Sequence, residues 1–147
     1  VDRRFDFKVQ TDKHVFLSDY AHHPKEILQS AKSLKELYKN RKITVIFQPH
    51  LYTRTRDFYM EFAEALSHFD EVILTEIYPA REQPIPGISS EIIYNNLKAG
   101  VAKDMIRKDD VLRYVKQRDF DVLIVLGAGD LDNYVPQITK LIEQKVS

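Results

Sequence analysis

Apolar residues fall at alternate positions from Arg4 to Thr11, where Phe5, Phe7 and Val9 are separated by polar neighbours. A two-residue period marks a half-buried strand. Asp12-Lys13 supplies a turn and His14 to Ser18 is a second short apolar run, so the chain is expected to open on a hairpin. The period then changes. Pro24 suits a first helical turn, where a missing N–H has no partner to lose. Behind it Ile27, Leu28, Ala31, Leu34 and Tyr38 mark one face of a helix. Lys42 to Phe47 is a β-branched run, apolar on both faces, as in a parallel strand covered from both sides. A second helix carries Phe58, Phe62, Ala65, Leu66 and Phe69, with Thr55 as the expected N-cap and Asp57 in the first turn.

Glu71 to Ile77 reads as a strand, and Tyr78 to Gly87 as a proline-rich loop. Ser89 is placed to cap a helix reaching about Leu97, with Gly100 ending it. Lys103 to Ile106 is a short strand, followed by a helix from Asp109 or Asp110 to Gln117. Asp121 to Leu126 is the clearest buried strand; it runs into Gly127-Ala128-Gly129-Asp130 and a last helix to about Lys145. Strand, loop and helix thus repeat after residue 19. The pattern predicts an α/β, Rossmann-like, open and mostly parallel sheet with helices on both faces, to which the N-terminal hairpin adds an antiparallel edge strand. The 147 residues suit one compact domain, 1–147.

Composition narrows the function classes. Lysine plus arginine and aspartate plus glutamate both count 22, and this zero net charge argues against a nucleic-acid binder. The absence of cysteine removes disulfides, zinc–thiolate sites and cysteine nucleophiles. No apolar run approaches the ~20 residues of a membrane span, and the start has no hydrophobic signal region. A cytoplasmic location is therefore expected, with no membrane partner. The chain starts on Val1 rather than Met and runs straight into patterned sequence, which reads as a segment of a longer protein.

Ligands of open α/β sheets bind outside the carboxyl ends of the strands, and the unusual polar residues gather there. Asp19 can hold ribose hydroxyls or act as a turn aspartate ahead of the Pro24 helix. His22 and His23 point different ways, so one at most faces the site; His23 also suits an N-cap, and two histidines are too few for a metal. Arg54 and Arg56 alternate with threonines before a helix, where guanidinium forks and free N–H groups suit an anion. The alternative is a solvated turn with Arg56 paired to Asp57 or Glu61. Gly127-Ala128-Gly129 allows a close backbone approach, yet it is neither a dinucleotide fingerprint nor a P-loop. A triphosphate cradle must lie elsewhere if ATP is handled.

Arg-Arg-Phe-Asp at 3–6, Asp-Tyr-Ala-His-His-Pro at 19–24, Phe-Gln-Pro-His at 47–50, Tyr-Thr-Arg-Thr-Arg-Asp at 52–57, Tyr-Pro-Ala at 78–80, Pro-Ile-Pro-Gly at 84–87 and Gly-Ala-Gly-Asp at 127–130 occur in an order that resembles the C-terminal domain of the Mur ligases. The segment 47–57 is most similar to the alanine-adding member of that family. The resemblance implies an ATP-dependent ligase that forms an acyl phosphate on UDP-N-acetylmuramate, which the amine of L-alanine then attacks. It implies a third domain, inactive alone. A UDP-binding first domain and a central ATPase domain would be its partners, the latter holding most of the contacts to ATP and Mg. By position, Arg4 and Asp19 correspond to ATP contacts, and His22, His50 and Arg54 to the substrate end. Arg81, Gly127 and Asp130 are candidates for lining the same pocket, and no metal ligand is assigned. Many members carry arginine where this chain has Leu51, which places more weight on Arg54 and Arg81. The competing readings are a freestanding small-molecule or nucleotide-binding module and the related murein-peptide ligase.

Overall fold

A computed structural model describes residues 5–146. Its single sheet has strands β1 (Asp6–Gln10), β2 (Val15–Asp19), β3 (Ile43–Phe47), β4 (Glu71–Leu74), β5 (Ala102–Met105) and β6 (Val122–Leu126). Their spatial order is β1-β2-β6-β3-β4-β5; only the β1–β2 pair is antiparallel. The helices are α1 (Pro24–Leu37), α2 (Tyr52–Leu66), α3 (Glu91–Tyr94), α4 (Val111–Gln117) and α5 (Val135–Val146). Short 3-10 turns, Lys108–Asp110 and Asp130–Tyr134, lead into α4 and α5. This is the predicted open α/β sheet with an antiparallel edge.

The side-chain period of two sorts the core into two layers. Val15, Leu17, Ile43, Val45, Phe47, Val72, Leu74, Val122, Ile124 and Leu126 face α1, α2 and α3, meeting Ile27, Leu34, Phe62, Leu66 and Ile93. Their alternates Phe16, Ile46, Ile73, Leu123 and Val125 face α4 and α5, meeting Val111, Val115, Ile138 and Ile142. Such strands, buried on both faces, read as continuous apolar runs. Among the described residues no helix is long and apolar enough to cross a membrane.

Four expectations are corrected. Phe5, Phe7 and Val9 do not share a face: the register shifts between Phe7 and Val9, and this irregularity turns Val9 into the α4–α5 layer while Phe5 and Phe7 stay with the other. The strand expected over 71–77 leaves the ladder after Leu74, although Thr75 and Ile77 remain buried. The helix expected from Ser89 to Leu97 is the single turn α3: Ser89 Oγ does accept from the Glu91 N–H at 3.2 Å, but the helix ends at Tyr94. The second helix begins at Tyr52, and its Thr55 hydroxyl donates back to the Leu51 carbonyl at 2.9 Å. A kink at Phe58 separates this added turn from the rest of α2.

Candidate functional site

Strand β6 lies between β2 and β3 although it is the last in sequence. Chains leaving β2 and β3 enter helices on one face, whereas the chain leaving β6 enters α5 on the other. The loops diverge above β6, and such a switch point opens a crevice at the carboxyl ends of the strands. One wall is the β2–α1 and β3–α2 loops, with His22, His50 and Arg54. The other is Gly127 to Asp130.

His22, His50 and Arg54 come together as expected. The His22 and His50 rings meet edge to face with centroids 6.4 Å apart, and Arg54 Nη1 donates to His50 Nδ1 at 3.3 Å. Because a guanidinium only donates, His50 carries its proton on Nε2. His22 Nδ1 lies 2.9 Å from the Tyr20 carbonyl oxygen, which only accepts. His22 Nδ1 therefore carries a hydrogen, and in the uncharged ring the lone pair lies on Nε2. His50 also stacks on Tyr78, centroids 5.5 Å apart. Burial first, then the charges of Arg54 and His22, hold the His50 pKa below its ordinary 6.5; only Glu82 pulls the other way. The site thus offers one imidazole donor, one imidazole acceptor and a guanidinium. Among the described residues Arg54 has no carboxylate partner.

The start of α2 is not the open anion site that the sequence suggested. Glu82 fills it from the β4–α3 loop, accepting from the Tyr52 N–H at 2.6 Å, the Thr53 N–H at 3.1 Å and the Thr53 hydroxyl at 2.5 Å. These hydrogen bonds, the Thr53 hydroxyl foremost, hold the Glu82 pKa below 4.5. Arg56 takes the solvated alternative and pairs with Asp57 at 2.9 Å. Neither Glu82 nor its role has a local sequence signal, since it lies 29 residues from Thr53.

The opposite wall is held by neighbouring loops, through Lys108 ahead of α4 and Gln48 at the base of the β3–α2 loop. Asp130 accepts from Lys108 Nζ at 2.6 Å and from Gln48 Nε2 at 2.7 Å, and Gln48 Oε1 accepts from the Leu131 N–H at 2.9 Å. Burial alone would raise the Asp130 pKa; the hydrogen bonds from Lys108 and Gln48 more than offset it and hold it below 3.8. The glycines serve packing here. A Cβ on Gly129 would lie 2.4 Å from Gln48 Oε1 and 2.7 Å from Tyr78 Cβ, and one on Gly127 would meet the Gln48 carbonyl at 2.9 Å. Asp19 is buried: one carboxylate oxygen accepts from Ser30 Oγ at 2.6 Å, the other from the Ala21 N–H at 3.2 Å. Arg81 is exposed, and Arg4 lies outside the described residues.

His22, His23 and Glu26 place three donor atoms within 4.8 Å of one another, one more ligand than the paired histidines alone. That set suits a borderline metal rather than magnesium, which takes oxygen ligands. Glu26 Oε1 already accepts from the His22 and His23 N–H groups at 3.1 Å each. The rim carboxylates of Asp19, Glu26, Glu82 and Asp130 are all bound to protein donors. The described residues therefore do not fit a magnesium site.

Residues 3–130 match the sequence profile of the family described as Mur ligase, glutamate ligase domain. The chain belongs to that family. It is similar to the UDP-N-acetylmuramate–L-alanine ligase of Phocaeicola vulgatus, 61% identical over 145 residues, which are 99% of this chain and 32% of that protein. The ligase of the same name from Parabacteroides distasonis is 49% identical over 98% of this chain and 31% of its own length. A crystal structure of UDP-N-acetylmuramate-alanine ligase from Thermotoga maritima superposes with a TM-score of 0.70 at 28% identity, over 90% of this chain and 27% of that one. The chain therefore spans about a third of the length of the relatives it matches.

Proposed function

We propose that this chain is the third domain of an ATP-dependent ligase joining L-alanine to UDP-N-acetylmuramate, and that it supplies the wall holding the incoming amino acid. The carrying observation is the convergence of His22, His50 and an Arg54 guanidinium with no carboxylate partner among the described residues. An amino acid presents a carboxylate and an amine two bonds apart. The Arg54 fork and the His50 Nε2–H suit the carboxylate, and the His22 Nε2 lone pair suits the ammonium. Identity of 61% to a protein bearing that ligase name supports the substrate. In the reaction, the muramyl carboxylate takes the γ-phosphoryl group of ATP and ADP leaves; the alanine ammonium gives up a proton, its neutral nitrogen attacks the acyl carbon, and the acyl–phosphate bond breaks to release phosphate and the second proton. This chain orients the nucleophile. The triphosphate and magnesium belong to the remainder of the ligase. On the nucleotide side we assign Arg4 and Asp19, the latter through the loop that its carboxylate holds.

In the full-length ligase, Arg54→Ala is expected to raise the KM for L-alanine about 10- to 100-fold while shifting the KM for ATP less than about threefold, the consequence of removing a charged hydrogen-bond pair. A change confined to the KM for ATP would contradict the assignment. Turnover by residues 1–147 alone would overturn the domain reading.

A further inference from the structure

We propose that Glu82 is a positioning residue for amino-acid capture: it clamps the β4–α3 loop onto the start of α2 and so fixes where His50 and Arg54 meet the substrate. The inference rests on the amino-acid reading above. Three hydrogen bonds join Glu82 to Tyr52 and Thr53. Two backbone bonds tie the same loops together on the other side, Tyr78 N–H to the Pro49 carbonyl and Leu51 N–H to the Tyr78 carbonyl, at 2.8 Å each. Leu51 sits between these two sets of bonds with φ 76°, a left-handed conformation that a leucine resists.

A strained residue persists only where its surroundings over-determine it. Here the functional groups lie on either side of the strain: His50 precedes Leu51, and Arg54 follows within one helical turn. If Glu82 releases the helix start, Leu51 is free to relax to negative φ. That rotation carries His50 off Tyr78 and separates the Arg54–His50 pair. Glu82 also contributes charge, since it is the carboxylate that opposes the lowering of the His50 pKa. Moving His50 off Tyr78 and Arg54 removes the two larger causes of that lowering, burial and the Arg54 charge, whereas losing the Glu82 charge alone deepens it, so the direction of the His50 shift reports whether the ring has moved.

The test uses the full-length ligase carrying this chain. Glu82→Gln keeps the shape and removes the charge; Thr53→Val keeps the charge and removes one donor. We expect Glu82→Gln to raise the KM for L-alanine about tenfold and Thr53→Val about threefold, with the KM for ATP changed less than about twofold. NMR titration of the His50 ring is expected to show a higher pKa in Glu82→Gln than in the parent; a lower one would mean that the ring stays in place and only the Glu82 charge is lost, which would overturn the proposal. Loss of thermal stability with unchanged KM for L-alanine and unchanged His50 titration would overturn the proposal, leaving Glu82 a cap and no more. If Glu82→Gln does not fold, Thr53→Val decides on the KM readout. Arg54→Ala separates the two claims. If it leaves the KM for L-alanine unaltered, the amino-acid reading fails; if it raises the KM and the Glu82 and Thr53 variants do not, only the present inference fails.

Discussion

The two walls of the crevice above β6 are built from similar residues and differ in what those residues hold. On the Gly127–Asp130 wall, Asp130 is bound by Lys108 and by Gln48, which reaches over from the base of the β3–α2 loop and also accepts from the Leu131 N–H. On the facing wall, Arg54 has an imidazole and no carboxylate as its partner among the described residues, and the Tyr20 contact leaves the Nε2 of an uncharged His22 ring as an acceptor. Both walls carry charge and both line the carboxyl edge of the sheet. One is a strut and the other, on the proposed function, a receptor. The lesson is that rim position and residue type do not identify a binding group; the test is which polar atoms remain after the protein's own partners are counted.

The largest expected effect lies on the strut. Gly129→Ala puts a methyl carbon 2.4 Å from Gln48 Oε1 and 2.7 Å from Tyr78 Cβ. Overpacking of that kind costs about 2–3 kcal/mol, read as a lowered denaturant midpoint. Because Tyr78 stacks on His50, the same substitution should disturb the receptor wall. A stability change near zero would show that the strut is looser than these contacts imply and would dissolve the contrast.

A smaller effect sharpens the contrast through pH. Lys108→Met should destabilise by about 1 kcal/mol at neutral pH, after discounting the bond to a charged group for solvent screening. The Asp130 pKa is held below 3.8, so its contribution is present above that value and is lost as pH falls through the folded-state pKa. Hydrogen bonding to Asp130 raises the Lys108 pKa above 10.5 against the opposing effect of burial, so its contribution is present below 10.5 and is lost as pH rises through the folded-state pKa. The gap between variant and parent, followed by urea unfolding, should therefore be widest between these limits and close toward acid. A gap that stays constant from neutral pH to below 3.8 would mean that Lys108 acts by packing rather than by charge.

The fold was legible because hydrophobic periodicity reports burial, and burial here follows the sheet. Asp121 to Leu126 announced a strand covered on both faces and occupies the centre of the sheet. Where the pattern misled in the first strand, a register shift had intervened, the break between Phe7 and Val9. That His22, His50 and Arg54 are neighbours was legible from motif and loop position together. Glu82 and Lys108 were not, because their partners lie 29 and 22 residues away in sequence and are joined only by the chain's return to the same edge. Asp130 was seen as a pocket residue for the same reason; its lysine partner has no local trace.

The smallest expected effect is the most direct probe of the receptor wall. Arg54 and Arg56 stand two residues apart between threonines, and residue type alone does not rank them. In the fold Arg54 is half-buried against His50, whereas Arg56 is exposed and paired with its neighbour Asp57. An exposed pair between adjacent residues is screened by water and salt and orders nothing beyond itself. Arg56→Ala should therefore leave the melting temperature unchanged and move the KM for L-alanine by less than about twofold, against the much larger shift expected for Arg54→Ala. If the two variants weaken alanine alike, and added salt erases both effects, the wall attracts its ligand by summed positive charge. If only Arg54→Ala does so, the effect belongs to a guanidinium held in place by His50, and the neighbour with the same charge is irrelevant to it.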